Sequence, residues 1–158
     1  MLSDCGRYRY ALEREWCPVP GSAARTVLFV LHNPSVADAE LDDPTLRRCI
    51  GFARDHGCSR LLLCNLFALR STDPAVLAHA DDPVGPESDG WLHWCAGEAD
   101  LIVAGWGALA RRHHERAAAV RGLLAAHAPL HCLGRTRDGH PRHPLYLPRA
   151  AQLVELGS

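Results

Sequence analysis

Three apolar runs, each followed at once by polar residues of little value for packing, constrain this chain more than any other feature. Val27-Leu28-Phe29-Val30-Leu31 leads into His32-Asn33-Pro34-Ser35, Leu61-Leu62-Leu63-Cys64 into Asn65, and Leu101-Ile102-Val103-Ala104 into Gly105-Trp106-Gly107. None alternates polar with apolar residues, so each reads as a strand buried on both faces, as in a parallel sheet covered by helices. Parallel sheets hold ligands beyond the carboxyl ends of their strands, so the polar tips are expected to meet at one pocket. A fourth polar group, Gly139-His140-Pro141-Arg142-His143-Pro144, is expected to join them.

The segments between these strands read as helices. Asp43-Pro44 is an N-cap followed by proline at the first helical position, predicting a helix that turns Leu46, Cys49, Ile50 and Ala53 inward and stops at Gly57. Asp73-Pro74 repeats the signal for a short helix through Leu77. Residues 87–98 predict a helix with Trp91, Trp94 and Cys95 on one side, residues 108–126 another, and residues 148–156 a closing helix. Residues 130–133 supply a fourth strand. Tyr8, Tyr10 and Leu12 alternate with Arg9, Ala11 and Glu13, the pattern of a half-exposed edge strand. The expected fold is α/β, a three-layer α/β/α arrangement around a mostly parallel four-stranded sheet with an N-terminal edge strand or hairpin.

At 158 residues the chain has one domain's length, so residues 1–158 are expected to form a single unit. No apolar run approaches the roughly 18 residues of a membrane span, and residues 1–10 lack the apolar stretch of a secretory leader, which predicts a cytoplasmic protein. The seven cysteines contain no C-x-x-C pair and read as free thiols, several of them buried. All 17 basic residues are arginine, so no lysine side chain is available for Schiff-base chemistry. A net charge of −1 argues against a strong non-specific grip on DNA. Two arginine groups, Arg111, Arg112, Arg116 and Arg121 along the helix and Arg135, Arg137, Arg142 and Arg149 around the last polar loop, read either as solvated faces or as phosphate-facing patches.

Taken in order, the strand tips resemble the motifs of the uracil-DNA glycosylase superfamily. His32-Asn33-Pro34-Ser35 is similar to the first motif of the mismatch-specific branch, which implies that Asn33 positions the attacking water. Leu62-Leu63-Cys64-Asn65-Leu66 is similar to the strand whose terminal asparagine reads the base edge. Residues 101–107 resemble the apolar strand ending in Trp-Gly, and His143-Pro144-Leu145 resembles the loop whose histidine stabilises the departing base. The resemblance spans residues 27–147. The wider pattern of Asn33-Pro34-Ser35, Asp38, Asp42-Asp43-Pro44-Thr45, residues 65–70 and residues 143–147 also resembles a compact bacterial family of unknown function. The aspartate-proline-tyrosine of the uracil-specific branch and the cysteine spacing of the iron-sulfur branch are both absent. The resemblance therefore carries over neither uracil specificity nor a cluster, and no cofactor is expected.

Breaking an N-glycosidic bond creates an oxocarbenium-like sugar and an anionic base, so the chemistry needs a placed water and a donor to the leaving group. Asn33 and His143 are the residue types for those tasks. Asn65, with one acceptor and two donors, can pair with a nucleobase amide edge. Asp38, Asp42 and Asp43 crowd the loop after the first strand and suit water activation or a hard cation such as Mg²⁺. Arg70 can hold a phosphate or carboxylate in two-pronged fashion, Phe67 and Trp106 can stack on a base, Ser35 can contact substrate, and Leu145 or Tyr146 can fill the gap left by a flipped base. Each has a plainer structural job too: Asn33 and Asn65 as turn residues, Asp43 as a helix cap, the aromatics as core. His113-His114 is not expected to chelate, because neighbours on a helix point apart.

The expectation is a monomeric, monofunctional DNA glycosylase-type hydrolase that removes a damaged or modified base from DNA. The catalytic candidates are Asn33, His143, Asp38 and Asp43, and the substrate contacts Ser35, Asn65, Phe67, Arg70, Trp106, Leu145 and Tyr146. The alternative is a non-catalytic binder of a nucleobase or nucleotide on the same fold.

Overall fold

The computed structural model describes the whole chain except Val19, Ser22, residues 35–41 and Ser158, and gives no side-chain environment for Pro74 and Ala75. Asp38 and Ser35, both expected at the site, lie outside the described residues.

The fold is α/β, built on one six-stranded mixed sheet in the order β1-β3-β2-β4-β5-β6. The strands are β1 (Leu12–Glu15), β2 (Thr26–Leu31), β3 (Arg60–Asn65), β4 (Leu101–Ala104), β5 (Leu130–Cys132) and β6 (Val154–Glu155). β3, β2, β4 and β5 run parallel, while β1 and β6 join the two edges antiparallel. The sheet is thus larger than the expected four strands with an N-terminal edge strand, because β6 adds a strand at the opposite edge. Residues 148–156 do not form the expected helix. Glu155 pairs with His131 and Val154 with Cys132, and the Leu156 amide donates to the Leu130 carbonyl, because the open edge of β5 offers backbone partners that an isolated final turn of helix lacks.

Helix α1 (Pro44–Asp55) covers one face of the sheet, packing Leu46, Cys49, Phe52 and Ala53 against Val27, Phe29, Leu61, Leu63 and Val103. The expected helix at 87–98 is α3 (Ser88–Glu98), which follows a short α2 (Pro74–His79); that at 108–126 is a 3₁₀ turn, Arg111–His113, leading into α4 (His114–Ala125). α3 and α4 cover the opposite face, with Leu92, Cys95, Val120 and Leu124 against Leu28, Val30, Leu62, Ile102 and Ala104. Trp94, expected on the inner side of α3, is 43% exposed, and Ile50 is half-buried.

The N-terminal alternation is corrected as well. The strand begins at Leu12, four residues later than the pattern implied, and Tyr8 instead bridges to Leu69. Tyr8, Arg9, Tyr10, Ala11 and Leu12 are all buried, Tyr8 and Tyr10 against Ala68 and Leu69, and Ala11 and Leu12 within the clusters on the two faces of the sheet. Five cysteines are buried and two, Cys5 and Cys17, are exposed; all are free thiols. No helix of the described residues is long and apolar enough to cross a membrane.

Candidate functional site

Parallel pairing of β2 with β3 sets Leu31 beside Asn65, so the polar residues following each strand emerge at the same edge. There the chain folds back on itself. The Leu66 amide donates to the Leu31 carbonyl, that of Phe67 to His32, and that of Ser71 to Pro34. The tip of β4 is shaped by two glycines. A Cβ on Gly105 would lie 2.9 Å from Pro144 Cδ and 3.0 Å from Leu31 Cδ2, and Gly107 sits at φ +74° with His143 Cβ 3.4 Å from where its own Cβ would be. These glycines let the His143-Pro144 turn pack against the strand ends.

The result is a cavity of about 110 Å³ whose polar lining is Asn33, Asn65, His143, Asp43, Thr45 and Arg9, closed by Leu12, Leu31, Leu46 and Leu63. Asn33, Asn65 and His143, drawn from three separate parts of the sequence, share it. Beside it runs an open groove of about 480 Å³ lined by His32, Trp106, Gly107, Ala108, Thr136, Arg142 and Tyr146, together with Asn33 and His143. Those last two residues therefore stand where the smaller cavity meets the groove.

Asn65 is 3% exposed, and neither its Oδ1 nor its Nδ2 has a hydrogen-bond partner among the described residues. Leaving such an amide unpaired costs about 1–3 kcal/mol, a penalty that a ligand in the cavity would remove. Asn33 is oriented by its nitrogen. Nδ2 donates to the Ser71 carbonyl at 2.8 Å and the Pro34 carbonyl at 3.2 Å, so the local role expected of a loop asparagine is real, but it occupies only the donor end. The oxygen end is fixed by the same bonds as an acceptor.

His143 accepts a hydrogen bond on Nδ1 from the Leu145 amide at 3.3 Å, capping the 3₁₀ turn Pro144–Tyr146. With Nδ1 an acceptor, the neutral ring carries its proton on Nε2 and offers a donor. Burial lowers the His143 pKa below the ordinary histidine value, opposed in part by the Asp43 carboxylate. Asp43 caps α1, its Oδ1 accepting from the Leu46 amide at 2.7 Å. The capping role and a place in the cavity lining coexist.

Other expected contacts are not brought together. Phe67 is 3% exposed and packs edge-on against His32 and tilted against His113, so it is core rather than a stacking platform. Arg70 lies in a different surface groove with Gly6, Arg7 and His79, where it reaches the Gly6 carbonyl; the loop after β3 turns away from the cavity before reaching it. Trp91 contacts Trp94 and Glu87 on α3, away from the site. Trp106 lines the groove but is 3% exposed. Leu145 is half-buried, and Tyr146 is 78% exposed at the groove. Asp42 pairs with Arg14 at 2.8 Å.

Most of the arginine positions are also spoken for. Arg116 bonds the Leu66 carbonyl and Asp89, Arg121 the Gly157 carbonyl, Arg135 the carbonyls of Glu155 and Leu156, and Arg149 Asp55. Of the two groups, Arg142 alone lines the groove. His113 and His114 do point apart, the first to His32 and the second to His140.

Three lining or supporting residues escaped the sequence reading. Arg9 is 4% exposed in the cavity wall, although alternation placed it outward. His32 and His113 hydrogen-bond each other at 3.2 Å behind Asn33. Their 81-residue separation gave no sequence signal.

An α/β protein with a small polar cavity at the carboxyl ends of its parallel strands is thus defined. The chain belongs to the family described as protein of unknown function DUF1643, which it matches over residues 9–145. No curated protein and no solved structure matches it.

Proposed function

We propose that this protein is a monofunctional N-glycosidic-bond hydrolase of the DNA glycosylase type, related in motif and arrangement to the uracil-DNA glycosylase superfamily. One observation carries the reading: Asn33 and His143 belong to the lining of both the small polar cavity and the open groove. A planar base held in the cavity, with its sugar and phosphates along the groove, has its glycosidic bond between these two side chains.

In this reading the unpartnered Asn65 amide pairs with the amide edge of the base. Asn33 Oδ1 holds a water toward C1′, and His143 Nε2–H donates to the base as the C1′–N bond breaks and its electron pair leaves with the base. Water oxygen then bonds C1′, and its proton passes to Asp43, the one carboxylate among the described lining residues. A neutral imidazole donor suits a leaving base that becomes an anion. Exposed Tyr146 and its neighbour Leu145 stand at the mouth, where a side chain can replace the extruded base. With no lysine in the chain, the abasic product stays intact.

The test is a panel of oligonucleotides carrying uracil, hypoxanthine, xanthine and modified thymines. Base release by wild type, at least 100-fold slower in Asn33→Ala and without borohydride-trapped adducts, supports the proposal. No release from any oligonucleotide at enzyme excess overturns it. The modest cavity and the net charge of −1 favour, as the second reading, a binder of free nucleobase or nucleotide. Binding that is indifferent to salt selects the binder, and affinity falling steeply with salt selects the DNA enzyme.

A further inference from the structure

We propose that Arg112, His113 and His32 form a one-way hydrogen-bond relay that positions Asn33, with both imidazoles neutral and each carrying its proton on Nδ1. The functional meaning rests on the reading of Asn33 as the residue that holds water; the hydrogen-bond logic does not.

The direction follows from the donor at the far end. Arg112 Nε–H lies 3.2 Å from His113 Nε2. A guanidinium has donors and no acceptor, so His113 Nε2 carries no hydrogen. The neutral ring therefore holds its proton on Nδ1, which is 3.2 Å from His32 Nε2. That atom must accept, so His32 in turn carries its proton on Nδ1. Asn33 lines the same groove as His32 and has its amide nitrogen held by two carbonyls, so in this relay its oxygen is the acceptor offered to the His32 Nδ1–H. Ser71 and Pro34 carbonyls hold the amide nitrogen from the other side. Asn33 is thus gripped at both ends, and its oxygen keeps a lone pair for water.

The surroundings favour neutral rings. Phe67 packs on both imidazoles, with ring centres 5.5 Å and 4.6 Å away, and places apolar surface against each ring. Among the described residues, the charged and titratable groups acting on His32 are His113, His143 and Arg112, and those acting on His113 are Arg112 and His114, none of them an acid. Burial, followed by these neighbours, holds the His32 pKa down to about 4 and lowers that of His113. A neutral relay also keeps a cation away from the sugar as positive charge grows on it.

The experiment is long-range proton–nitrogen NMR on the full chain labelled with ¹⁵N-histidine at pH 7, with signals assigned through His32→Gln and His113→Asn. The expected result is that His32 and His113 both show the Nδ1–H tautomer, the less common form of free imidazole. In His113→Asn, whose amide nitrogen still donates, His32 keeps that signature. In His113→Leu it becomes a mixture of tautomers, and any base-release kcat falls about tenfold with KM within twofold. Either ring as the Nε2–H tautomer or charged in wild type overturns the relay, as does an unchanged His32 signature in folded His113→Leu. Wild-type spectra alone decide the first point if variants fail to fold. Absence of base release sinks the glycosylase reading without touching the tautomers.

Discussion

Asn65 concentrates the tension between stability and function in one side chain. Its amide sits at the end of a strand buried from Leu61 onward, next to Leu31 in register, with no hydrogen-bond partner among the described residues. Replacing it by leucine removes the unpaired polar atoms at nearly constant volume. Asn65→Leu is expected to raise stability by about 1 kcal/mol in urea unfolding and to abolish ligand binding. Lower stability in this variant means the amide is satisfied in the apo protein and the cavity is not waiting for a partner. His143 differs in that its backbone bond to Leu145 decides which nitrogen faces the ligand. His143→Gln keeps a donor without that bond, and base release is expected to fall about 10- to 100-fold, in line with loss of a positioned acid–base group.

At the scale of elements, α1 and the β4 tip do two jobs each. Asp43 starts α1 and also faces the cavity, and the two roles separate by substitution. Asp43→Asn retains an oxygen for the Leu46 amide and is expected to unfold within a few tenths of a kcal/mol of wild type, whereas Asp43→Ala loses about 1 kcal/mol. Both variants are expected to lose base release, and retention of activity in Asp43→Asn removes the carboxylate from the mechanism. At β4, Gly105→Ala drives a methyl group into Pro144 and Leu31. Such overpacking costs about 1–3 kcal/mol, and it displaces the turn that carries His143. A melting temperature lowered together with binding is the expected outcome.

For the whole molecule, the buried histidines tie stability to pH. His32, His113 and His143 all have pKa values below that of an unfolded histidine, mainly because burial disfavours the charged ring. Between the ordinary value near 6.5 and about 4 the unfolded chain binds more protons than the folded one. Stability is therefore complete above that window and falls as pH drops through it. Melting temperatures recorded from pH 7.5 to pH 4.5 are expected to decline in wild type and to decline less in His32→Gln.

The apolar runs at β2, β3 and β4 were legible because a strand buried on both faces leaves no polar alternation, and Asp43-Pro44 located α1 because a cap and a fixed proline φ act locally. From the parallel order it also followed that Asn33 and Asn65 emerge at one edge, whereas His143 joins them because Gly105 and Gly107 let its turn pack against the strand ends. What the sequence could not carry was set by contacts between distant segments. Arg9 lines the cavity because its segment, ahead of the edge strand, is tied to Ala68 and packed against Leu69, Arg70 leaves the site because its loop turns toward Gly6, and the last residues pair with β5 because that edge had unmet backbone groups. The pairing of His32 with His113 is of the same kind: nothing local joins residues 81 apart, and only close packing around Phe67 makes them neighbours.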